Sequence, residues 1–151
     1  MAATGRVLTD RAEGRETVSE YRKNRPRRDS LEDYRQQGKF SDVILVAWAI
    51  IELNLDQATL AVYRLSSQDP RSELVLNTRL DEKLNLLKQL SHLSEEGHRQ
   101  IKEFQVERNR LFHKSKGLFI PNLPGSEKDR IMHAAMKAVD ASHEFWDRAR
   151  G

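Results

Sequence analysis

Arg108, Asn109 and His113 are the residues of this chain whose types and spacing best suit chemistry. They lie in the run Val106-Glu107-Arg108-Asn109-Arg110-Leu111-Phe112-His113-Lys114. On a helix, residues four apart share a face, so Asn109 can hydrogen-bond His113 and fix the orientation and tautomer of its ring. Histidine carries protons well near neutrality because its ordinary pKa is about 6.5. A guanidinium holds the non-bridging oxygens of a phosphate through its planar set of donors and stabilises charge that builds in a transition state. Together these groups suit attack of an RNA 2′-hydroxyl on its own 3′-phosphate, in which neither role calls for a metal. Arg108 and His113 are separated by roughly 140° around an ideal helix, so one helix does not readily aim both at one atom. Two copies facing each other across a two-fold axis would pool two arginines and two histidines in one cleft. Arg110, Lys114 and Lys116 flank the motif as candidate contacts to the RNA backbone.

Spacing alone has a plainer explanation. Cations favour the C-terminal end of a helix dipole, so an arginine and a histidine there are ordinary. No other set of residues competes for a chemical role. His92, His98, His133 and His143 are scattered, His-Glu-x-x-His is absent, and there is no cysteine to form a disulfide, a thiolate zinc site or a nucleophile. No metal and no cofactor is expected.

The elements that must position the motif can be read from periodicity and stop signals. The motif sits late in a helix capped by Ser94, with Glu95 and Glu96 in the positive first turn. Ile101, Phe104, Arg108, Leu111 and Phe112 follow at helical spacing, and Gly117 is the expected end. Upstream, Leu80, Leu84, Leu87 and Leu90 mark a helix over Arg79 to Leu90. Before it, a long helix is expected from Ser41 to Ser66, capped by Ser41 or Asp42 and stopped by Asp69-Pro70. Its first half, Val43 to Ile51, is apolar on every side, which suits the centre of a bundle or a subunit contact. Glu52 follows directly and, if partly buried, needs a partner such as a structural salt bridge. After the motif, Leu118 to Gly125 reads as a packed loop. Ser126 and Asp129 then open a helix running to about Arg148, with Ile131, Ala135, Ala138, Val139, Ser142, Phe145 and Trp146 on its inner face. With no strand alternation and no repeat, the expected fold is all-α, a four- to five-helix antiparallel up-and-down bundle.

Composition agrees with that class. In 151 residues the chain is 38% hydrophobic and 32% charged, with 7 Gly and 4 Pro, which suits one charge-rich helical domain. A net charge of +3 and a pI near 9.3 leave room for a polyanionic partner without demanding one. Residues 1–38 read as a basic, polar N-terminal arm, with Arg22, Lys23, Arg25, Arg27 and Arg28 clustered around Pro26. A short helix begins near Asp29 or Ser30, with Leu31 and Tyr34 on one face. Residues 39–151 form the helical domain. The basic cluster suits a solvated tail or attraction to an RNA backbone. No secretory signal is visible, and the longest apolar run is nine residues against the roughly 20 a membrane span needs. A cytoplasmic protein with no membrane contact is expected.

The block Glu107-Arg108-Asn109-Arg110-Leu111-Phe112-His113 resembles the signature of the HEPN superfamily, an Arg-polar-x-x-x-His motif near the end of the third helix of an all-α bundle. The apolar stretch Ala47-Trp48-Ala49-Ile50-Ile51-Glu52-Leu53 and the helix carrying Lys83, Leu84 and Leu87 are similar to elements of such domains, so the resemblance covers about residues 40–148. It implies a metal-independent endoribonuclease working as a homodimer with the cleft at the subunit interface, in toxin–antitoxin, phage-defence or RNA-processing systems. By position it implies that Arg108 binds the phosphate, His113 is the acid/base and Asn109 orients it. RNA is the implied substrate, and an antitoxin or regulatory protein the implied further partner. Toxins of this kind paired with a nucleotidyltransferase antitoxin often carry a tyrosine two residues after the histidine. Here that position is Ser115, so silencing by nucleotide transfer is not expected. Some members of the superfamily lack activity, and a non-catalytic helical module binding a partner protein or a nucleotide is the alternative.

Overall fold

The computed structural model describes the backbone of residues 28–114 and 123–150 and the side chains of 28–111 and 123–147. Within them the chain is helical, with no strand: α1 Arg28–Gln36, α2 Phe40–Val62, α3 Ser72–Leu76, α4 Leu80–Gln89, α5 Glu95–Lys114, α6 Gly125–Ser142 and α7 Glu144–Arg150. The basic cluster from Arg22 to Arg27 lies outside the described residues. Arg28 pairs with Asp140 of α6 at 2.6 Å.

The apolar sequence of α2 makes it the central helix. It packs most extensively on α6 and also touches α1, α3 and α4. Val43, Ile44, Ala47, Ile50, Ile51 and Leu55 are buried in one core with Leu84 and Leu87 of α4, Ile101, Phe104 and Leu111 of α5, and Ile131, Ala135 and Val139 of α6. Burying each such side chain contributes about 1.5–3 kcal/mol relative to leaving it in water. The 23 residues of α2 are long and apolar enough to cross a membrane, but 56% of its most apolar stretch is buried within the protein. Leu45 and Ala49 face outward from it. The short helix expected near Asp29 is α1, which buries Leu31 against α2 and packs Tyr34 beside it.

Several helix ends differ from the sequence expectation. α2 begins at Phe40 rather than at Ser41 or Asp42, and Lys39 at its N-cap makes no side-chain cap. The core decides this start, since Phe40 is itself buried. α2 stops at Val62, before Ser66, because Leu65 N–H donates back to Leu60 C=O at 3.0 Å. The same closure ends α1, where Lys39 N–H bonds Tyr34 C=O, and α4, where His92 N–H bonds Leu87 C=O. These are Schellman turns, which need a residue in the left-handed region. That residue is Gly38 (φ 69°) after α1, but Arg64 (φ 55°) after α2 and Ser91 (φ 61°) after α4. The five-residue α3 was not foreseen, being too short to show a period. Leu90 is largely exposed rather than in the core.

At the C-terminal side the expected single helix is two. α6 starts at Gly125, one residue before Ser126, with Pro124 as its N-cap and no side-chain cap. It breaks at His143, where Ser142 Oγ donates to Val139 C=O at 2.6 Å and accepts from Asn54 Nδ2 at 2.9 Å. A serine hydroxyl bonded to a preceding carbonyl competes with the helix ladder. The break turns Phe145 edge-on to His92, with ring centroids 5.0 Å apart. Leu118, Phe119 and their neighbours in the expected loop lie outside the described residues, as does Gly117. Leu123 packs on the core.

Candidate functional site

Helix α5 carries the motif, and its start is secured as the sequence expects. Ser94 Oγ accepts from Gly97 N–H at 2.9 Å, an N-cap bond. Glu144 of α7 completes the cap from outside the helix, accepting from Ser94 N–H at 2.9 Å and from Ser94 Oγ at 3.1 Å. From there α5 runs unbroken through Lys114, so Arg108, Asn109 and the backbone of His113 keep helical register. The side chains of His113 and Lys114, and all of Lys116, lie outside the described residues.

Arg108 is half-buried, and its position depends on α2. The guanidinium carbon stands 4.6 Å from the centre of the Trp48 ring, a cation–π contact. Phe104, one helical turn before Arg108 and completely buried, packs on the same indole with ring centroids 6.0 Å apart. Arg108 Nη1 also donates to Asn109 Oδ1 at 3.2 Å. Burial pulls the Arg108 pKa below its ordinary value and the charge of Glu52 opposes that. An arginine starts so high that it stays cationic throughout the physiological range.

Glu52 lies one turn after Trp48 on α2. Burial of its carboxyl raises its pKa above the ordinary carboxylate value, Asp56 adds to the rise, and Arg108 and Lys83 draw it back. Glu52 is exposed as a whole residue although its carboxyl is partly desolvated, and it makes no salt bridge within 4 Å among the described residues, so the ion pair expected of it if buried is not formed there. That pairing belongs to Asp56, which accepts from Lys83 Nζ at 2.7 Å while the same ammonium donates to Leu76 C=O at 2.8 Å.

Arg110 is placed differently. Its guanidinium pairs with Glu107 at 2.6 Å and with Glu127 of α6 at 3.5 Å. Arg130 joins both carboxylates, so two arginines and two glutamates lock α5 to α6. Much of the Arg110 charge is therefore met within the protein. Among the described residues no group of three or more His, Cys, Asp or Glu side chains is arranged to hold a metal ion.

The sequence singles out Arg108 and Asn109 but gives no sign of the Trp48 contact, since Trp48 reads as one more apolar residue in an apolar helix. The available signal was the four-residue spacing of Trp48 and Glu52, which puts an aromatic and a carboxylate on one face of α2.

A concavity lies away from the motif. A cleft of about 500 Å³ opens between the end of α2, α3 and α4, lined by Tyr63, Leu74, Val75, Glu82, Lys83 and Leu86 among others. Leu74 is 76% exposed and Tyr63 53%. Compared with known proteins, the chain matches no family model, no curated protein and no solved structure.

Proposed function

We propose that this protein is a metal-independent endoribonuclease of HEPN type. In this reading it is a four- to five-helix antiparallel bundle that acts in the cytoplasm as a homodimer, as a toxin or defence component held in check by an antitoxin or regulatory protein. The observation that carries the reading is the placement of Arg108. It is fixed from α2 and bonded to Asn109, on a helix whose backbone continues through His113. Arg108 would hold the scissile phosphate and neutralise its growing charge. His113 would take the 2′-hydroxyl proton and return a proton to the departing 5′-oxygen. Asn109 Oδ1 accepts from Arg108 Nη1 and has a second lone pair to offer. It would accept the N–H of one His113 ring nitrogen, leaving the other nitrogen unprotonated toward the 2′-hydroxyl.

The test is RNA cleavage in excess EDTA. Wild type should cut, leaving 2′,3′-cyclic phosphate ends, and an all-DNA strand should be inert because it lacks the attacking hydroxyl. His113→Ala should abolish turnover with melting temperature unchanged. Arg108→Lys should lose much of the rate, since an ammonium cannot present the planar pair of donors. Strict dependence on magnesium, or efficient cutting of DNA, would sink the mechanism.

The cleft beside α3 favours a second reading, a non-catalytic helical module that binds a partner protein or a nucleotide. Exposed Leu74 and Tyr63 give that cleft an apolar lip of the kind that marks contact sites. Under this reading His113→Ala leaves partner binding intact, and Leu74→Asp abolishes it.

A further inference from the structure

We propose that the cleft between α2, α3 and α4 is a binding site for a small organic cation, an ammonium or guanidinium group carried on an apolar body. The proposal goes beyond both functional readings and does not depend on RNA cleavage. The cleft has the size and make-up of a ligand site. It holds about 500 Å³, with Tyr63, Leu74, Val75 and Leu86 as apolar walls and a few polar groups set among them. Helical spacing builds two of its sides, from Thr59 and Tyr63 on α2 and from Glu82, Leu86 and Gln89 on α4.

The polar groups select the sign of the ligand. Lys83 lines the cleft but is only 7% exposed. Its ammonium donates to Asp56 at 2.7 Å and to Leu76 C=O at 2.8 Å, so its charge is met within the protein. The threonine donors are spent as well. Thr59 Oγ1 donates to Leu55 C=O and Thr78 Oγ1 to Val75 C=O, each at 2.7 Å, which leaves both hydroxyls only lone pairs for the cleft. The amides of Asn85 and Gln89 serve a donor or an acceptor equally. Glu82 is exposed and makes no ion pair within 4 Å among the described residues, Arg79 one turn before it included. The lining therefore presents one unmet negative charge and a surplus of acceptors, and Tyr63 adds an aromatic ring of the kind whose face attracts cations. A cation that donates hydrogen bonds satisfies all three. The phosphates of a nucleotide would meet Glu82 as like charge.

The test is NMR titration of the isotope-labelled full chain with phenylbutylamine, with its uncharged analogue phenylbutanol and with AMP, followed at the backbone amides. The amine should shift the amides of Tyr63, Val75 and Leu86 and bind with a Kd of about 1–10 mM, the range open to so small a ligand. The alcohol should bind about fivefold more weakly, the difference an exposed ion pair makes at its best. AMP should leave those amides in place. Glu82→Gln, a change at an exposed position, should lower the amine's affinity to that of the alcohol and leave the alcohol's own affinity unchanged. The cation site is overturned if the alcohol binds as tightly as the amine, if Glu82→Gln keeps the preference for the amine, or if AMP takes the cleft. Shifts confined to residues outside the lining, or no shift at about 20 mM amine, overturn it too. None of these readouts involves RNA, so their failure leaves the ribonuclease reading standing.

Discussion

At the scale of single residues, Glu52 balances two demands. Its carboxylate attracts Arg108, yet it adds negative charge beside a group proposed to receive a phosphate. Its pKa in the folded protein is raised, chiefly by burial. A raised folded-state pKa means the native protein binds the proton more tightly than the unfolded chain. Its contribution is then fully present below the unfolded pKa and is lost as pH rises through the folded one. Glu52→Gln escapes that loss, so its stability relative to wild type should grow between about pH 4 and neutrality. The gain should be small, about 0.5 kcal/mol or less, because water screens the exposed side of the carboxylate. Urea melts at the two pH values check it. For RNA the same substitution should lower KM by removing a like charge near the phosphate. An unchanged KM with a lowered kcat would place Glu52 in the chemistry rather than beside it.

At the scale of elements, the helix ends are where this sequence bears local cost. Ser91 closes α4 at φ 61° and Arg64 closes α2 at φ 55°, a region that glycine enters without the clash a side chain causes. Ser91→Gly should therefore stabilise the protein by about 0.5–1 kcal/mol in thermal or urea unfolding. The start of α5 has the opposite requirement. A methyl group on Gly97 would collide with the Glu144 carboxylate that caps Ser94, and it would crowd Leu93 as well. Gly97→Ala should cost about 1–3 kcal/mol despite alanine's better helix propensity. The carboxylate would have to withdraw, undoing the tie between α5 and α7. If Gly97→Ala proves stabilising, the Glu144 cap is looser in solution than the structure has it. A loosened cap would change how the motif helix sits at its far end, because α5 is continuous from Glu95 to Lys114.

For the whole molecule, the arrangement of the motif bears on assembly. Arg108 faces α2 of its own chain, and on an ideal helix the His113 position is turned roughly 140° from it. A site shared between two copies would bring an arginine of one to a histidine of the other across an isologous interface. Mixing Arg108→Ala chains with His113→Ala chains should then restore part of the wild-type rate, about one quarter if half the dimers are mixed and each holds one intact site of two. Restoration should follow the slow exchange of subunits. A monomer by sedimentation that cleaves RNA at full rate would exclude a shared site.

Local pattern determined much of this protein in advance. The all-helical class, the Ser94 cap, the span from Leu80 to Gln89 and the inward residues of the last helices follow from periodicity and capping, which act within one or two turns of chain. The proposed pairing of Arg108 with Asn109, which the structure shows to be hydrogen-bonded, was also chosen on sequence. Only tertiary packing decided what stands opposite them. That Trp48 rather than Glu52 meets the guanidinium depends on how α2 lies relative to α5, which no spacing within either helix encodes. The same holds for the break at His143, where Asn54 on α2 engages the Ser142 hydroxyl that competes with the helix ladder. Arg110 looked like a cation open to RNA until α6 brought Glu127 to it. Left-handed closure at Arg64 and Ser91 was illegible for a related reason. A side chain in that region costs energy locally, and the fold accepts the cost only because the next helix must turn back onto the core.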